Sequence, residues 1–285
     1  MAEFGIIPKA LLSRDSMEYE QKIPKIIWQT MKTNDVPVFI KSYTDSWIEM
    51  NPEYEYRFHD DNDIIDFLKN DFPEYLKGYN NLKYGASKAD LWRYLIIYKY
   101  GGVYADIDCI CINPLRNWVD KQATFVTALG TNKDICQWLI ISVPKNPIFL
   151  RAAQKTVENS QNQKVTSHYG FEYIENQLII RENKPLSKFD HPVLALSGPP
   201  VLQSAAEECF REGLLSRILP FIQVVCVSGS TSCQMNGNVR HDTGNQDYKS
   251  SYKALHLNHY NSRWERMKRN VRRLFRLKIK ENKIP

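Results

Sequence analysis

The sequence predicts an α/β fold in which helices flank one mostly parallel sheet. Apolar segments of strand length alternate with helical segments, and no Gly/Ser-rich or Pro-rich linker divides the 285 residues. Hydrophobic residues make up 43% of the chain, which is enough for one sizeable core. Sheets of this kind bind ligands beyond the carboxyl ends of their strands, so we expect functional residues directly after predicted strands.

Strands and helices alternate in the first half of the chain. Short apolar or alternating segments are typical of strands, and apolar residues every three to four positions are typical of helices. Asp61 or Asn62 is expected to cap the second helix, because a short polar side chain there accepts early backbone N–H groups. These patterns predict a strand, a helix, a second strand and a short helix at residues 25–30, 38–50, 54–59 and 64–68.

A longer helix is predicted from Ser87 to Tyr100. Ser87 is a favourable N-cap residue, and Gly101-Gly102 supplies a natural end. Farther along the chain the same patterns continue. They predict strands at residues 125–129, 138–143 and 221–227 and helices at residues 147–158 and 201–212.

Two aspartates follow a short apolar segment, residues 101–105, as Asp106-Ile107-Asp108. If the strand continues through them, residues i and i+2 face the same side and the two carboxylates meet at one point. Like charges this close are unfavourable unless a cation or a proton offsets them. Mg²⁺ and Mn²⁺ prefer oxygen ligands, so the motif predicts a metal site that holds a diphosphate. An exposed Asp-x-Asp at a strand end is the alternative.

Asp90 and Arg93 lie three residues apart on the long helix and so share one side of it. One interpretation is an ion pair on a solvated face, which contributes little to stability. The other is a functional pair that binds sugar hydroxyls or a phosphate. A planar guanidinium is suited to the second interpretation, because it binds such groups through two hydrogen bonds.

The net charge of +6 is concentrated at the end of the chain. From Arg263 onward there are ten basic and two acidic residues, so the rest of the chain has a net charge of −2. A basic amphipathic helix of this kind binds anionic membrane surfaces. We therefore expect peripheral membrane contact through residues 264–285, with packing of this helix on the domain as the alternative. Its apolar residues recur at helical spacing, at Trp264, Met267, Val271, Leu274 and Phe275.

Composition also bears on partners and location. Nucleic acid is not expected as a partner, because the basic residues are confined to the tail and no nucleic-acid-binding motif accompanies them. No apolar segment reaches the roughly 18 residues that span a bilayer, and no signal peptide is recognisable at the start. The six cysteines form no paired C-x-x-C, which argues against a zinc site or a disulfide scaffold. We expect a cytoplasmic protein, peripheral at the inner face of the membrane.

The segments around Asp90 and Asp106 together resemble a known family. The block from Ala89 to Asp108, with Asp-x-x-Arg followed by Gly-Gly-x-Tyr-x-Asp-x-Asp, is similar to glycosyltransferase family 32. That family includes fungal initiating mannosyltransferases and bacterial capsule and lipopolysaccharide enzymes, and large clostridial glucosylating toxins carry a related core. Further similarity lies at residues 23–30, 47–52, 54–60, 197–199 and 256–264.

The resemblance implies a GT-A fold and a metal-dependent, retaining transfer of a hexose from a UDP- or GDP-hexose. Mn²⁺ or Mg²⁺ is the implied cofactor, and a glycan or glycolipid of cell-surface polysaccharide or lipopolysaccharide synthesis is the implied acceptor. The alternatives are an effector toxin that modifies a protein and a catalytically silent nucleotide-sugar-binding protein. A haloacid-dehalogenase-like phosphatase also uses Asp-x-Asp, but there the motif lies near the first strand. We divide the chain into an N-terminal arm, a catalytic domain and a basic tail at residues 1–21, 22–264 and 265–285.

By the same resemblance, four residues are expected to carry catalysis. Asp108 is implied as the direct metal ligand. Asp106 is implied to contact the metal or its bound water, the ribose or the donor sugar. Asp90 and Arg93 are implied to bind donor-sugar hydroxyls and phosphate.

Other residues are implied to bind the nucleotide sugar. Trp28 is placed against the base, with a core position as the alternative, and Tyr104 against the base or the sugar. Ser262 and Trp264 match a late Ser-x-Trp whose side chains hydrogen-bond the diphosphate. His259 stands where the toxins have an acidic metal-associated residue, and imidazole also accepts Mn²⁺, so His259 is the expected third metal ligand.

Overall fold

The computed structural model describes most of the first 162 residues and shorter segments beyond them. Residues 1–243 cluster as one compact unit. The predicted tail, residues 265–285, lies outside the described residues, and the predicted domain boundaries stay predictions. The described segments are residues 4–15, 19–129, 135–162, 171–174, 177–180, 196–214, 222–228, 233–235 and 239–241.

Helices and strands alternate through the described part of the chain. The helices are α1 (Val38–Met50), α2 (Asp61–Asp71), α3 (Leu76–Asn81), α4 (Gly85–Tyr100), α5 (Pro147–Asn162) and α6 (Pro199–Arg211). The first strands are β1 (Phe4–Ile6), β2 (Ala10–Leu11), β3 (Ile26–Thr30), β4 (Asp35–Pro37), β5 (Glu55–His59), β6 (Gly102–Ala105) and β7 (Cys109–Cys111). The later strands are β8 (Phe125–Leu129), β9 (Leu139–Ser142), β10 (Phe171–Ile174), β11 (Gln177–Ile180), β12 (Ile222–Ser228), β13 (Cys233–Met235) and β14 (Val239–His241).

Ten of these strands form one sheet, in the order β2-β5-β3-β6-β9-β8-β12-β13-β14-β7. The predicted α/β class, with a central sheet and flanking helices, is confirmed. β5, β3 and β6 run parallel, as do β8 and β12. β9 is antiparallel to both β6 and β8, so the sheet is mixed where a mostly parallel one was expected. The connection from β8 to β9 is too short for the crossover that parallel neighbours need.

The first described residues are part of this architecture. β1 pairs with β4 in a separate two-stranded sheet, and β2 pairs with β5 at the edge of the large sheet. Ile7, between them, is fully buried. Where the structure describes it, the segment that was expected to be an N-terminal arm therefore contributes two strands that are hydrogen-bonded to the rest of the unit.

Local sequence explains the early elements well, with one correction at α2. The helix α1 covers residues 38–50 as predicted, and β3 and β5 lie within one residue of their predicted starts. The cap of α2 is Asp60 rather than Asp61 or Asn62, because the Asp60 carboxylate accepts from the N–H groups of Asn62 and Asp63. The Asp63 carboxylate accepts the N–H of Asp60 in return, which completes a capping box.

The helix α4 begins at Gly85, two residues before the predicted cap Ser87. Ser87 is buried within the first turn and does not cap the helix. The helix ends as predicted at Gly101-Gly102, where φ is +66° and +96°. A Cβ atom on Gly102 would lie 2.6 Å from the main-chain oxygen of Ile26, so only glycine lets β6 approach β3 here.

Aromatic side chains fill the space between α4 and the sheet. Trp92 on α4 is fully buried, and its ring centroid lies 6.0 Å from that of Tyr104 and 5.4 Å from that of His59. This contact fixes α4 across β6 and β5. Because α4 precedes β6 and runs back along it, residues in its first half lie near the carboxyl end of β6.

Candidate functional site

The motif Asp106-Ile107-Asp108 directly follows β6 at the carboxyl edge of the sheet, as predicted. The expectation that the strand continues through the motif is wrong, because β6 ends at Ala105. The N–H of Cys109 donates to the carbonyl of Asp106 at 3.0 Å, which closes a turn into β7. Both aspartates are partly exposed. Their carboxylates therefore belong to a solvent-accessible turn rather than to one face of a strand.

Arg93 connects the helix pair to this motif. Its guanidinium nitrogens lie 3.1 Å from Oδ1 of Asp90 and 3.1 Å from Oδ1 of Asp106. The guanidinium carbon also lies 4.5 Å from the ring centroid of Tyr104, which is a cation–π contact. Only 6% of the Arg93 side chain is exposed, so the interpretation as a solvated ion pair is wrong.

Tyr104 holds Asp106 from a second direction. Its ring is buried beneath Arg93, and its hydroxyl donates to Oδ1 of Asp106. Asp106 thus forms an ion pair with a buried cation and accepts a hydrogen bond from a buried phenol, while 26% of its own side chain stays exposed. The predicted contact of Tyr104 with a base or a sugar stays a prediction.

Asp90 is nearly enclosed, with 4% of its side chain exposed. The hydroxyl of Ser197 donates to Oδ2 of Asp90 at 2.7 Å, and Nε2 of Gln137 donates to Oδ1 at 3.0 Å. The hydroxyl of Tyr94 lies 2.7 Å from both the side-chain oxygen of Gln137 and the main-chain oxygen of Ser197. Three parts of the chain therefore meet at Asp90: α4, the segment before β9 and the segment before α6.

Burial and charge shift the titration of this cluster. Burial raises the pKa of Asp90 from its ordinary 3.8 to about 6, against the opposing effects of the Arg93 charge and the Ser197 hydroxyl. Burial acts to lower the pKa of Arg93, but the neighbouring Asp106 and Asp90 carboxylates outweigh it and raise that pKa overall. Arg93 is therefore a permanent cation, and Asp90 changes its charge near pH 6.

Asp106 and Asp108 are the described side chains that fit a divalent cation. Both supply carboxylate oxygens, which Mg²⁺ and Mn²⁺ prefer, and both are accessible in the turn. Within the described residues, no group of three or more His, Cys, Asp or Glu side chains is arranged to hold a metal. The two aspartates would thus supply part of a ligand set. The predicted third ligand His259 lies outside the described residues, as do Ser262 and Trp264.

Trp28 lies in the core. This was the alternative to the interpretation that its ring contacts the nucleotide base. It is 5% exposed, and its indole N–H donates to the carbonyl of Gly101 at 3.0 Å. Its ring packs against Tyr100 and His59 and lines a groove of about 510 Å³ beside α2. Gly101 precedes β6, so this hydrogen bond lies at the opposite end of that strand from Asp106. Contact of Trp28 with a nucleotide base stays a prediction.

Sequence reasoning missed the residues that enclose Asp90. Tyr94 was given no role in the site, and Ser197 lay in a block that resembles the family but was also given no role. Gln137 is a single polar residue before an apolar strand, which carries no local signal. Its side chain reaches a residue 47 positions earlier, and only the assembled fold shows that contact.

This fold and site define an α/β protein with a buried carboxylate–guanidinium cluster beside an Asp-x-Asp turn. Residues 37–125 match the family described as "Glycosyltransferase sugar-binding region containing DXD motif". The matched region contains Asp90, Arg93, Asp106 and Asp108. The predicted resemblance to a glycosyltransferase family with this motif is confirmed.

Several curated proteins similar to this chain are fungal mannosyltransferases. The chain is 36% identical over 143 residues, 50% of its length and 36% of the relative's, to "Mannosyl phosphorylinositol ceramide synthase SUR1" of Saccharomyces cerevisiae. It is 40% identical over 107 residues, 35% and 30% of the two lengths, to "Inositol phosphoceramide mannosyltransferase 3" of Schizosaccharomyces pombe. It is 23% identical over 223 residues, 70% and 52%, to the "Initiation-specific alpha-1,6-mannosyltransferase" of Schizosaccharomyces pombe. The chain thus spans about a third to a half of the length of these relatives.

Solved structures with some likeness to this chain are glycosyltransferase domains of toxins. "PaToxG Glycosyltransferase" has a TM-score of 0.45 at 20% identity, covering 70% of this chain and 72% of that one. The UDP-bound glycosyltransferase domain of the YGT toxin has a TM-score of 0.46 at 9% identity, covering 72% and 80%. These scores are too low to support any conclusion about the site.

Proposed function

We propose that the chain is a glycosyltransferase that moves a hexose from a nucleotide sugar to a glycan or glycolipid acceptor. The observation that carries this proposal is the Arg93 guanidinium, buried between Asp90 and Asp106 inside the matched DXD region. Hydroxyl groups donate to carboxylates, and phosphate oxygens accept from a guanidinium. A nucleotide sugar carries both kinds of group close together, so it suits this cluster.

A departing nucleoside diphosphate needs positive charge beside it. Asp106 and Asp108 would hold Mn²⁺ or Mg²⁺, which when bound supplies a Lewis acid and a template for the diphosphate oxygens. Arg93 and Tyr104 fix the Asp106 carboxylate from the buried side, so this ligand is already placed. Placement in advance lowers the reorganisation that the reaction requires.

Mannose is the transferred sugar that the relatives favour. Three of them are named as mannosyl or mannosyltransferase proteins, so GDP-mannose is the first donor to test and UDP-hexoses are the second class. Two of the names include an inositol phosphoceramide or phosphorylinositol ceramide, which favours a glycolipid acceptor over a soluble glycan. Retention of the anomeric configuration is part of the proposal and rests on the family resemblance.

A glycolipid acceptor would bring the reaction to a membrane. In the part of the chain that the structure describes, no helix combines the length and the apolar character needed to cross a bilayer. The proposed contact is peripheral and uses the basic residues 264–285, at the cytoplasmic face of an anionic membrane. Those residues lie outside the described part of the chain, and their charge alone supports this contact.

A donor-hydrolysis panel tests the proposed function. GDP-mannose, UDP-glucose and UDP-galactose are incubated with the protein and Mn²⁺, with and without EDTA, and released nucleotide is measured. Asp108→Asn removes the expected metal ligand. Asp66→Asn is the matched control, because Asp66 is an exposed aspartate on α2 that pairs only with a nearby lysine in the described contacts.

We expect EDTA-sensitive release of nucleotide from one donor, loss of at least about 100-fold in Asp108→Asn, and little change in Asp66→Asn. Equal release of nucleotide by Asp108→Asn and Asp66→Asn would show that Asp108 is not the metal ligand. If no donor is hydrolysed and none raises the melting temperature of the protein, the transferase proposal fails.

A further inference from the structure

A single residue, Gln137, contacts both members of the Asp90–Arg93 pair. Its side-chain Nε2 donates to Oδ1 of Asp90 at 3.0 Å, and its main-chain oxygen accepts from Arg93 at 3.0 Å. The next residue, Trp138, accepts the N–H of Asp106 on its main-chain oxygen at 2.8 Å. The two residues before β9 therefore contact three of the four residues expected to carry catalysis.

The orientation of the Gln137 amide decides whether its nitrogen can donate to the Asp90 carboxylate. An amide can present either its oxygen or its nitrogen to a neighbour. Here the Tyr94 hydroxyl lies 2.7 Å from Oε1 of Gln137, which leaves Nε2 to donate to Asp90. A flipped amide would place its oxygen against the Asp90 carboxylate, and two acceptors at that distance repel. Tyr94 follows Asp90 by one turn of α4, so one helix supplies both partners of the amide.

Burial makes the arrangement costly to change. Gln137 is 9% exposed, and Tyr94 is fully buried. Water is therefore a poor substitute for a lost partner, and a buried donor or acceptor without one is strongly disfavoured. The Tyr94 hydroxyl also lies 2.7 Å from the main-chain oxygen of Ser197, so its one proton is shared between the amide and the segment before α6.

We propose that Gln137 is a positioning residue of this site, which sets the placement of Asp90 and Arg93 relative to each other, and that Tyr94 acts through it. The inference rests on the proposed function, because Asp90 and Arg93 matter only if they bind the donor. Gln137 itself touches no substrate in this account. Its effect reaches the donor through the carboxylate and the guanidinium that it orients.

The kinetic test uses Gln137→Met, Tyr94→Phe and the double variant, with the nucleotide sugar that the wild-type protein hydrolyses. Methionine keeps the shape and removes the amide. We expect kcat/KM to fall about 30- to 100-fold in Gln137→Met, mainly through kcat, since small misplacements of reacting groups are costly. Tyr94→Phe should cost about 5-fold alone and less than about 2-fold in the Gln137→Met background, because two residues that act through one another are not additive.

Asn146→Leu is the matched control. Asn146 is a fully buried amide that bonds Ser142 and the N–H of Ile148 at the start of α5, outside the cluster. It should lower the melting temperature as Gln137→Met does, yet keep kcat/KM within about 3-fold while folded. Equal kinetic losses in Asn146→Leu and Gln137→Met, or equal costs of Tyr94→Phe in both backgrounds, would overturn the positioning role.

A crystal structure of Gln137→Met separates this inference from the proposed function. We expect the Asp90 carboxylate, which loses the bond from Nε2, to leave the 3.1 Å contact that it makes with Arg93. If that contact persists unchanged, the positioning role is wrong, whatever the activity of the protein. If it is lost but the wild-type protein hydrolyses no donor, the positioning holds and only the proposed function fails.

Discussion

Arg93 is the residue on which the site depends most, because it is a buried cation that forms ion pairs with two carboxylates and donates to the main-chain oxygen of Gln137. Lysine would keep the charge but lose the planar fork that reaches all three. We predict that Arg93→Lys lowers kcat/KM for the donor at least about 100-fold and the free energy of unfolding by about 2–4 kcal/mol. Urea unfolding and donor hydrolysis measure the two effects.

Arg151 supplies the control for this prediction. It also bonds two carboxylates, those of Glu208 and Glu212, but 30% of its side chain is exposed. Arg151→Lys should therefore change the free energy of unfolding by less than about 1 kcal/mol. Equal losses of unfolding free energy in Arg93→Lys and Arg151→Lys would show that burial does not make Arg93 more important for stability than an exposed arginine.

Asp90 gives the site a defined pH dependence. Its pKa is about 6 in the folded protein and ordinarily 3.8, so the folded state holds this proton more tightly than the unfolded state does. The contribution of Asp90 to stability is therefore full below about pH 4 and is lost as the pH rises to about 6. Relative to Asp90→Asn, the wild-type unfolding free energy should fall on the order of 3 kcal/mol across this window. A difference between the two proteins that is constant from pH 4 to pH 7 would contradict the raised pKa.

At the scale of elements, the turn between α4 and β6 places the cluster against the Asp-x-Asp motif. Gly102 has a φ of +96°, and an added Cβ would lie 2.6 Å from the main chain of β3. We predict that Gly102→Ala lowers the free energy of unfolding by about 2–4 kcal/mol, from backbone strain and overpacking together. Gly85, the first residue of α4, has no atom within 4 Å of an added Cβ, so Gly85→Ala should be neutral or raise stability by up to about 1 kcal/mol. Urea unfolding of both variants tests this prediction. Similar losses of unfolding free energy in both would show that the turn does not require glycine.

Sequence patterns predicted the elements whose signals are local. The helix α1 and the strand β8 lie at their predicted bounds, because periodicity and flanking turn residues mark them within a short window. The pairing of β1 with β4 and the antiparallel β9 depend on which distant segments meet, and no short window records that. The residues of the site also divide into those with a local sequence signal and those without one. Asp90, Arg93, Asp106 and Asp108 came from a motif, whereas Gln137 came only from the assembled fold.

At the scale of the whole molecule, the uneven charge predicts where the protein binds. Replacing Arg272, Arg273, Arg276 and Lys278 together with glutamine should weaken binding to vesicles of phosphatidylserine and phosphatidylcholine by about 100-fold or more, since each basic residue contributes about 1 kcal/mol at such a surface. Vesicle co-sedimentation in low salt measures the change. Equal binding of the wild-type and substituted proteins to these vesicles would place the membrane contact elsewhere. If the wild-type protein bound neutral phosphatidylcholine vesicles equally well, the proposed contact with an anionic surface would be removed.

We propose above all that the edge of the sheet at Asp106 and Asp108 binds a nucleoside diphosphate through a divalent cation. The test is calorimetric titration of GDP and UDP into the wild-type protein and Asp108→Asn, each with Mn²⁺ and with EDTA. We expect at least one nucleotide to bind the wild-type protein with Mn²⁺, and either EDTA or Asp108→Asn to abolish this binding. Binding that is equally tight without metal, or unchanged in Asp108→Asn, would contradict this proposal.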